Sequence, residues 1–235
     1  MAVVTKMNRL QELMKPVLQA LKARLRTLAI AAGALAILGL AYAFFPRHPD
    51  LRAFDPRGMA RSETAIWRHY YEHRYLLLFA DLYGNARSQY GFSPWESARI
   101  AFAAARAAKA FQPSSLRSGT QAALPFLEDY FGLLARAAPV PLDSKAAARA
   151  ELDWWQARRE DTSPRSYGAM IARVSALLYG RDSEKFRESG ILRAEAMAFR
   201  DASGEDTTDA GWSTIESILT KAYKILKREA SNGSH

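Results

Sequence analysis

The chain has 235 residues, of which 49% are apolar, and these values fit one sizeable globular domain or two small ones. This composition excludes an intrinsically disordered chain, and the absence of cysteine excludes disulfides, thiolate metal sites and cysteine nucleophiles. The formal net charge of +9 raises the question of a nucleic-acid or membrane partner.

The first 26 residues form a basic segment. They contain six Lys or Arg and one acid, so more than half of the chain's excess positive charge lies here. Apolar residues recur at spacings of three and four, which predicts an amphipathic helix lying on an anionic cytoplasmic leaflet, with Pro16 in its first turn or at a kink. Anionic lipid is therefore the expected partner of this segment. No nucleic-acid partner is predicted, because the later helices are mixed in sign.

Residues 27–45, TLAIAAGALAILGLAYAFF, carry no charge. Their length is close to the ~20 apolar residues that a helix needs to cross a bilayer, which predicts a single transmembrane helix. The flanking basic residues favour a cytoplasmic N-terminus, so the rest of the chain is expected on the periplasmic side of a bacterial inner membrane. A cleaved signal peptide is the competing interpretation, because Ala41 and Ala43 form a small-x-small site.

The remainder is predicted to be an all-α helical bundle of about seven helices over residues 59–230. A proline-rich spacer, residues 46–58, precedes it, and residues 231–235 form a frayed tail. No run of alternating β-branched residues indicates a strand. Helices are predicted near residues 60–83, 94–111, 115–137, 144–160, 164–179, 183–201 and 209–229.

Helix ends carry recognisable signals. Ser93 and Glu96 have the spacing of a capping box around Pro94, and Thr208 is a further N-cap candidate. Gly84 and Gly180 follow helical runs and are predicted to end two helices. These signals set the boundaries given above.

Two segments resemble each other: ETAIWRHYYEHR, which begins at Glu63, and ELDWWQARREDT, which begins at Glu151. They align Glu63 with Glu151 and Trp67 with Trp155. An ancient duplication of a helical hairpin is one interpretation. The favoured alternative is that two unrelated helices solve the same packing problem.

A glutamate four residues before a tryptophan and close to arginines is suited to an ion pair capped by an indole. Such a pair satisfies a half-buried charge and fixes helix register. The residues assigned to this structural role are Glu63, Trp67, Glu151, Trp155, Arg158 and Arg159.

The alternative role for these acids is metal binding. A dimetal carboxylate site in a helical bundle uses glutamates from several helices together with Glu-x-x-His motifs. Both Glu-x-x-His motifs are missing here, although two histidines lie one turn apart. The alternative function is a ferritin-like metal-binding or oxidative enzyme that uses Glu63, His69, His73, Glu151 and Glu195. The leading interpretation includes no cofactor and no catalytic residue.

Adjacent aromatic residues indicate docking. Neighbours on a helix point about 100° apart, so both members of a pair such as Tyr70 and Tyr71 cannot face one core. Large aromatic groups with polar tips are common in interfaces. The docking candidates are Tyr70, Tyr71, Trp95, Trp154 and Trp212.

Four segments in order, ETAIWRHYYEHR, ALPFLEDYF, ELDWWQARRE and LRAEAMAFRDAS, resemble a group of bacterial all-helical proteins without an established activity. The resemblance covers residues 60–228 and implies an all-helical domain with no transferable catalytic residues. The leading hypothesis is a membrane-anchored accessory subunit that docks on and stabilises a larger membrane protein complex. A respiratory or photosynthetic complex is the kind of partner that this hypothesis suggests.

Overall fold

The computed structural model describes residues 2–45, 47–112, 117–160, 163–204 and 207–232, with only the backbone for residues 2–18, 20, 117 and 118. Over these ranges the chain is all-α and contains no strand, as predicted. It divides into two compact units, Met1–Phe45 and Pro46–His235.

The first unit is one helix, α1 (Ala2–Phe44). Its segment Leu21–Phe44 is long and apolar enough to cross a membrane, with a mean hydropathy of 2.0 and none of it buried. The prediction of a single apolar helix is confirmed, although this segment begins six residues earlier than expected. Helix α1 continues through Pro16, so the prediction that this proline lies in the first turn of a helix is wrong. The predicted lipid-facing side chains of residues 1–18 lie outside the described side chains.

The second unit contains all the remaining helices. Its α-helices are α2 (Pro56–Tyr71), α3 (Tyr75–Tyr90), α4 (Pro94–Phe111), α5 (Arg117–Thr120), α6 (Leu124–Leu134), α7 (Ser144–Glu160), α8 (Pro164–Tyr179), α9 (Glu184–Ser203) and α10 (Asp209–Ser231). Two 3-10 turns, Gln121–Ala123 and Ala135–Ala137, flank α6.

The single helix predicted over residues 60–83 is wrong, because the chain breaks between α2 and α3. His73 takes a left-handed conformation with φ of 56°. The Arg74 amide donates to the His69 carbonyl at 2.9 Å, and the His73 amide donates to the Tyr70 carbonyl at 3.2 Å. These two bonds form a Schellman motif. The sequence hid this helix end because a histidine stands where glycine is usual.

The other helix-end signals have mixed outcomes. The Ser93 and Glu96 capping box is present, and the Thr208 hydroxyl accepts from the Gly211 amide. Gly180 ends α8 in the left-handed conformation, with φ of 73°. Gly84 does not end a helix, because it lies inside α3.

Eight of the described helices form a closed ring. Each of α2, α3, α4, α6, α7, α8, α9 and α10 packs against the next, and α10 packs against α2. We call this arrangement the helix ring. Its closest crossing brings Gly190 of α9 against Gly168 of α8, where a Cβ added at Gly190 would lie 2.3 Å from the Gly168 carbonyl oxygen. The ring encloses a central space, which positions the candidate site.

The predicted spacer is part of this domain rather than a free linker. Leu51 and Phe54 retain only 2% and 1% exposure. The Leu51 amide donates to the Ala137 carbonyl at 2.9 Å, and the Tyr179 hydroxyl donates to the Leu51 carbonyl at 3.2 Å. The segment therefore closes one end of the helix ring.

Candidate functional site

A cavity of about 580 Å³ occupies the interior of the helix ring. Side chains from all eight ring helices line it, and Leu51 of the former spacer segment lines one end. Its volume lies within the range of sites that hold small organic ligands. We call this space the central cavity.

One ion pair, with a hydroxyl bonded to the same acid, lies in the wall of the central cavity. Glu63 of α2 accepts from Arg193 of α9 at 2.5 Å and from the Tyr223 hydroxyl of α10 at 2.5 Å. Burial on its own lowers the pKa of Arg193, but the charge and hydrogen bond of Glu63, together with Tyr223 and the charge of Glu151, raise that pKa overall. The charge of Arg193 thus balances the charge of Glu63, and the Tyr223 hydroxyl adds a hydrogen bond to the same carboxylate.

Glu151 of α7 is the second acid in the wall, and it has a different environment. Its Oε1 accepts from Trp155 Nε1 at 2.9 Å. Burial raises the pKa of the Glu151 carboxyl, while the nearby Trp154 indole, the charge of Arg193 and the hydrogen bond from Trp155 act against the rise. Among the described residues, no cation lies within ion-pair distance of Glu151.

Four tyrosines add hydroxyl groups to the same wall: Tyr90, Tyr130, Tyr179 and Tyr223. Burial raises the pKa of each hydroxyl, so all four are protonated at neutral pH and act as donors. They lie deep in the domain, yet Tyr90, Tyr130 and Tyr179 are only half-buried by surface area. Their remaining accessible surface indicates empty space inside the ring.

At the end of the central cavity opposite Leu51, arginines form a rim. Arg158 Nη2 donates to both carboxylate oxygens of Asp201 at 2.8 Å and to the Tyr71 hydroxyl at 2.7 Å. The Arg159 guanidinium lies 3.7 Å from the centre of the Phe111 ring. Arg158 is therefore paired within the domain, and the exposed Arg159 donates to the Phe111 carbonyl at 3.1 Å.

The proposed metal ligands do not converge. The His69 Nδ1 atom lies 2.5 Å from an Asp81 carboxylate oxygen, and the His73 Nδ1 atom lies 3.0 Å from the Tyr75 hydroxyl. Glu195 is exposed on α9. No group of three or more His, Asp or Glu side chains suited to a metal ion is found in the described ranges. The separation of α2 from α3 at His73 explains why the two histidines meet different partners.

The residues assigned to an ion pair capped by an indole are brought together only in part. Trp155 donates to Glu151 as described, and Trp67 lines the cavity beside Glu63. At the rim, Arg158 pairs with Asp201 instead, and Arg159 donates to the Phe111 carbonyl. The actual partner of Glu63 is Arg193, which the sequence analysis missed. Arg193 lies four residues from Ser189 and four residues from Met197, and both of these residues are buried. The helical spacing therefore places Arg193 on the buried face of α9.

The docking candidates divide by exposure. Trp154 and Trp212 retain only 7% and 6% exposure, because each packs into a hydrophobic cluster of the domain, and this burial corrects their assignment to an outer surface. Tyr70 and Tyr71 are half-buried and line the central cavity. Trp95 alone of the five is exposed, at 49%.

The sequence matches no protein-family model, and comparisons with curated proteins and with solved structures find no match either. Fold and cavity together define an all-helical domain, closed into a ring, on a chain that carries one apolar N-terminal helix.

Proposed function

We propose that this protein is a single-pass, membrane-anchored accessory subunit whose helical domain docks on and stabilises a larger membrane protein complex. In this proposal Leu21–Phe44 is the anchor, the basic N-terminal segment lies on anionic lipid in the cytoplasm, and the domain lies on the extracytoplasmic side.

One observation carries the docking part of the proposal. Large exposed apolar side chains of the second unit concentrate on α3 and α4. Of the six among the described residues, five lie there: Tyr75 (53% exposed), Leu76 (89%), Leu77 (47%), Trp95 (49%) and Phe102 (57%). The sixth is Phe199, at 38%. We call these five residues as a set the hairpin face, because they lie on one pair of helices, although consecutive members such as Leu76 and Leu77 point about 100° apart.

The hairpin face extends along a pair of antiparallel helices. Helices α3 and α4 pack together and are joined by residues 91–93 alone, so they run in opposite directions. Tyr75, Leu76 and Leu77 lie at one end, Phe102 near the middle and Trp95 at the turn. Concentrated exposed apolar surface favours a protein or membrane contact. An extended helical pair offers the shape that a partner helix would need.

Photo-crosslinking in intact membranes tests this proposal. A photoreactive residue placed at Leu76 in the full-length chain is expected to give a defined crosslinked product with one other membrane protein. The same photoreactive residue at Phe199, which is exposed but lies outside the hairpin face, is the matched control and is expected to give no such product. Crosslinks to lipid only, or equal products from both positions, would contradict docking through this face.

The orientation is tested separately. A reporter that is active only outside the cytoplasm, fused after residue 235 of the full-length chain, is expected to be active. Activity of a cytoplasm-specific reporter at that position would overturn the assigned topology without affecting the docking surface.

A further inference from the structure

We infer that the central cavity binds a small organic cation, an amine or ammonium group on an aromatic or aliphatic body, and that its charged group pairs with Glu151. This inference is independent of the docking proposal, because the hairpin face and the cavity involve different residues.

The space available fits such a molecule. The cavity volume of about 580 Å³ is bounded mainly by apolar and aromatic side chains, among them Ile66, Leu82, Leu127 and Val174. Glu151, Tyr130 and Arg193 lie deep in the domain and still keep accessible surface. A polar group that is deep and yet accessible faces an internal space large enough for water or for a ligand.

The charges inside the ring leave one acid uncompensated. Arg193 and Tyr223 both bond to Glu63, so that pair is internally balanced. Glu151 receives a hydrogen bond from Trp155 but, in the described part of the chain, has no ion-pair partner. Buried carboxylates are usually paired with a cation. A bound ammonium group would supply the missing charge.

Aromatic groups around Glu151 favour a cation over other occupants. Trp154 and Trp155 follow Glu151 on α7 and line the cavity with Tyr130 from α6. The faces of indole and phenol rings attract an ammonium group, and the attraction strengthens when water is excluded. An anion at the same place would lie beside two carboxylates and is therefore disfavoured.

The cavity wall contains buried polar atoms of both kinds without a partner, and only one of those in the described residues is an acceptor. The Asn85 Oδ1 atom of α3 is buried in the cavity wall without a donor. Among the described residues, the wall also contains three buried donors without a partner, Trp154 Nε1 and the Nε atoms of Arg158 and Arg193, but other nitrogens of both guanidinium groups are already bonded to acids. These arginines therefore do not require a bound anion.

The rim does not oppose entry of a cation as strongly as its arginines suggest. Asp201 offsets part of the positive charge there, because it pairs with Arg158 at 2.8 Å and with Arg200 at 3.5 Å. Arg159 also lies at the opening, where it donates to the Phe111 carbonyl, and it is two helical turns from Glu151, about 10–12 Å along α7. A ligand with an acceptor at its far end would place that acceptor near Arg159 and its ammonium group near Glu151.

Calorimetric titration of the full-length protein in a non-ionic maltoside detergent tests the inference. The probes are tryptamine, which carries an ammonium group, and tryptophol, its near-isosteric neutral alcohol. Tryptamine is expected to bind at one site per chain and about 10- to 100-fold more tightly than tryptophol, because a charge-assisted hydrogen bond replaces a neutral one. Equal affinities, or no binding of tryptamine, would overturn the inference.

Substitutions then assign the site. Glu151→Gln keeps the size of the side chain and is expected to remove the preference for tryptamine over tryptophol. Glu195→Gln makes the same change of charge on an exposed part of α9 and is expected to leave both affinities unchanged. A preference that persists in Glu151→Gln would rule out Glu151 as the partner of the ammonium group.

A second pair of variants tests the location of the site independently, in case Glu151→Gln does not fold. Ala108→Met adds volume to the cavity wall, while Ala105→Met adds the same volume on the same helix at a residue that does not line the cavity. Ala108→Met is expected to weaken tryptamine binding at least about tenfold, because the larger side chain occupies space that the ligand needs. Equal binding by the two variants would place the ligand outside the central cavity and overturn the inference.

Discussion

At the residue scale, the decisive interaction is the ion pair between Arg193 and Glu63, which joins α9 to α2 across 130 residues of sequence. Removing one partner of a buried pair leaves the other charge uncompensated. Arg193→Met is expected to lower the free energy of unfolding by about 3–5 kcal/mol. Adding Glu63→Gln to this variant is expected to recover part of the loss, because the orphaned charge is removed.

Chemical denaturation of the single and double variants measures these values. The matched control is Lys185→Met, which breaks the surface pair between Lys185 and Glu188. Both of those side chains are exposed, so no measurable change in stability is expected. Strictly additive losses for Arg193→Met and Glu63→Gln would show that the two residues do not act as a pair.

Glu151 predicts a pH dependence with a definite sign. Its pKa is raised in the folded protein, so between the ordinary value of 4.5 and the raised value the folded state binds more protons than the unfolded state. Ionisation of Glu151 therefore lowers the free energy of unfolding as pH rises through that window. Below the window the carboxyl is protonated in both states, and this destabilising effect is absent. Glu151→Gln is expected to unfold at a higher temperature than the wild type at neutral pH, with the difference disappearing under acid conditions.

Melting temperatures of both proteins from acid to neutral pH check this expectation, since taking the difference at each pH cancels the other titrating groups. Asp50, whose pKa is lowered by Arg52, would otherwise contribute with the opposite sign. A constant difference across the whole pH range would contradict the assignment.

At the element scale, the crossing of α8 and α9 depends on two glycines. A Cβ at Gly190 would collide with the Gly168 backbone, which cannot move away as a flexible side chain would. Gly190→Ala is expected to cost about 1–3 kcal/mol or more, as overpacking does. Gly132→Ala in α6 is the control, since nothing lies within 4 Å of its added Cβ, and it is expected to gain about 0.5–1 kcal/mol from helix propensity. Denaturant titration distinguishes the two, and a neutral Gly190→Ala would exclude the close crossing.

At the break between α2 and α3, glycine is expected to be a favourable replacement for the native residue. His73 has a positive φ, which glycine adopts without strain and a β-branched residue does not. His73→Gly is expected to be more stable than His73→Val by at least about 1 kcal/mol. At Lys221, an exposed position inside α10, the order should reverse, because glycine is the poorer helix former there. The same order at both positions would argue against the Schellman motif.

At the scale of the whole molecule, the second unit contains its own hydrophobic core, formed by two clusters of buried side chains. A chain that lacks residues 1–45 is therefore expected to unfold at the same temperature as the full-length chain. A chain that lacks residues 1–55 also loses Leu51 and Phe54, and it is expected to be less stable by about 3–6 kcal/mol, the value of burying those two side chains. Thermal unfolding of the two truncated chains measures the difference, and equal stabilities would mean that the segment is only a linker.

Local signals in the sequence predicted a large part of the fold. The capping box at Ser93, the Gly180 helix end and the apolar segment before residue 45 depend on neighbouring residues only, and each appears in the structure. The prediction failed at His73 and Gly84, where the usual residue signals point the wrong way. No glycine or proline marks the end of α2 at His73. In the structure this end occurs where α3 packs against α4 and where His69 bonds to Asp81.

The sequence by itself determined that the chain is all-helical, that one apolar helix precedes the domain and that Glu63 and Glu151 lie beside indoles, because helical periodicity and spacing act over a few residues. Only the tertiary structure decided that the helices close into a ring, that Arg193 is the partner of Glu63 and that Trp154 and Trp212 are buried. These features arise from contacts between residues far apart in the chain, and the balance of charge inside the cavity exists only after the ring has closed.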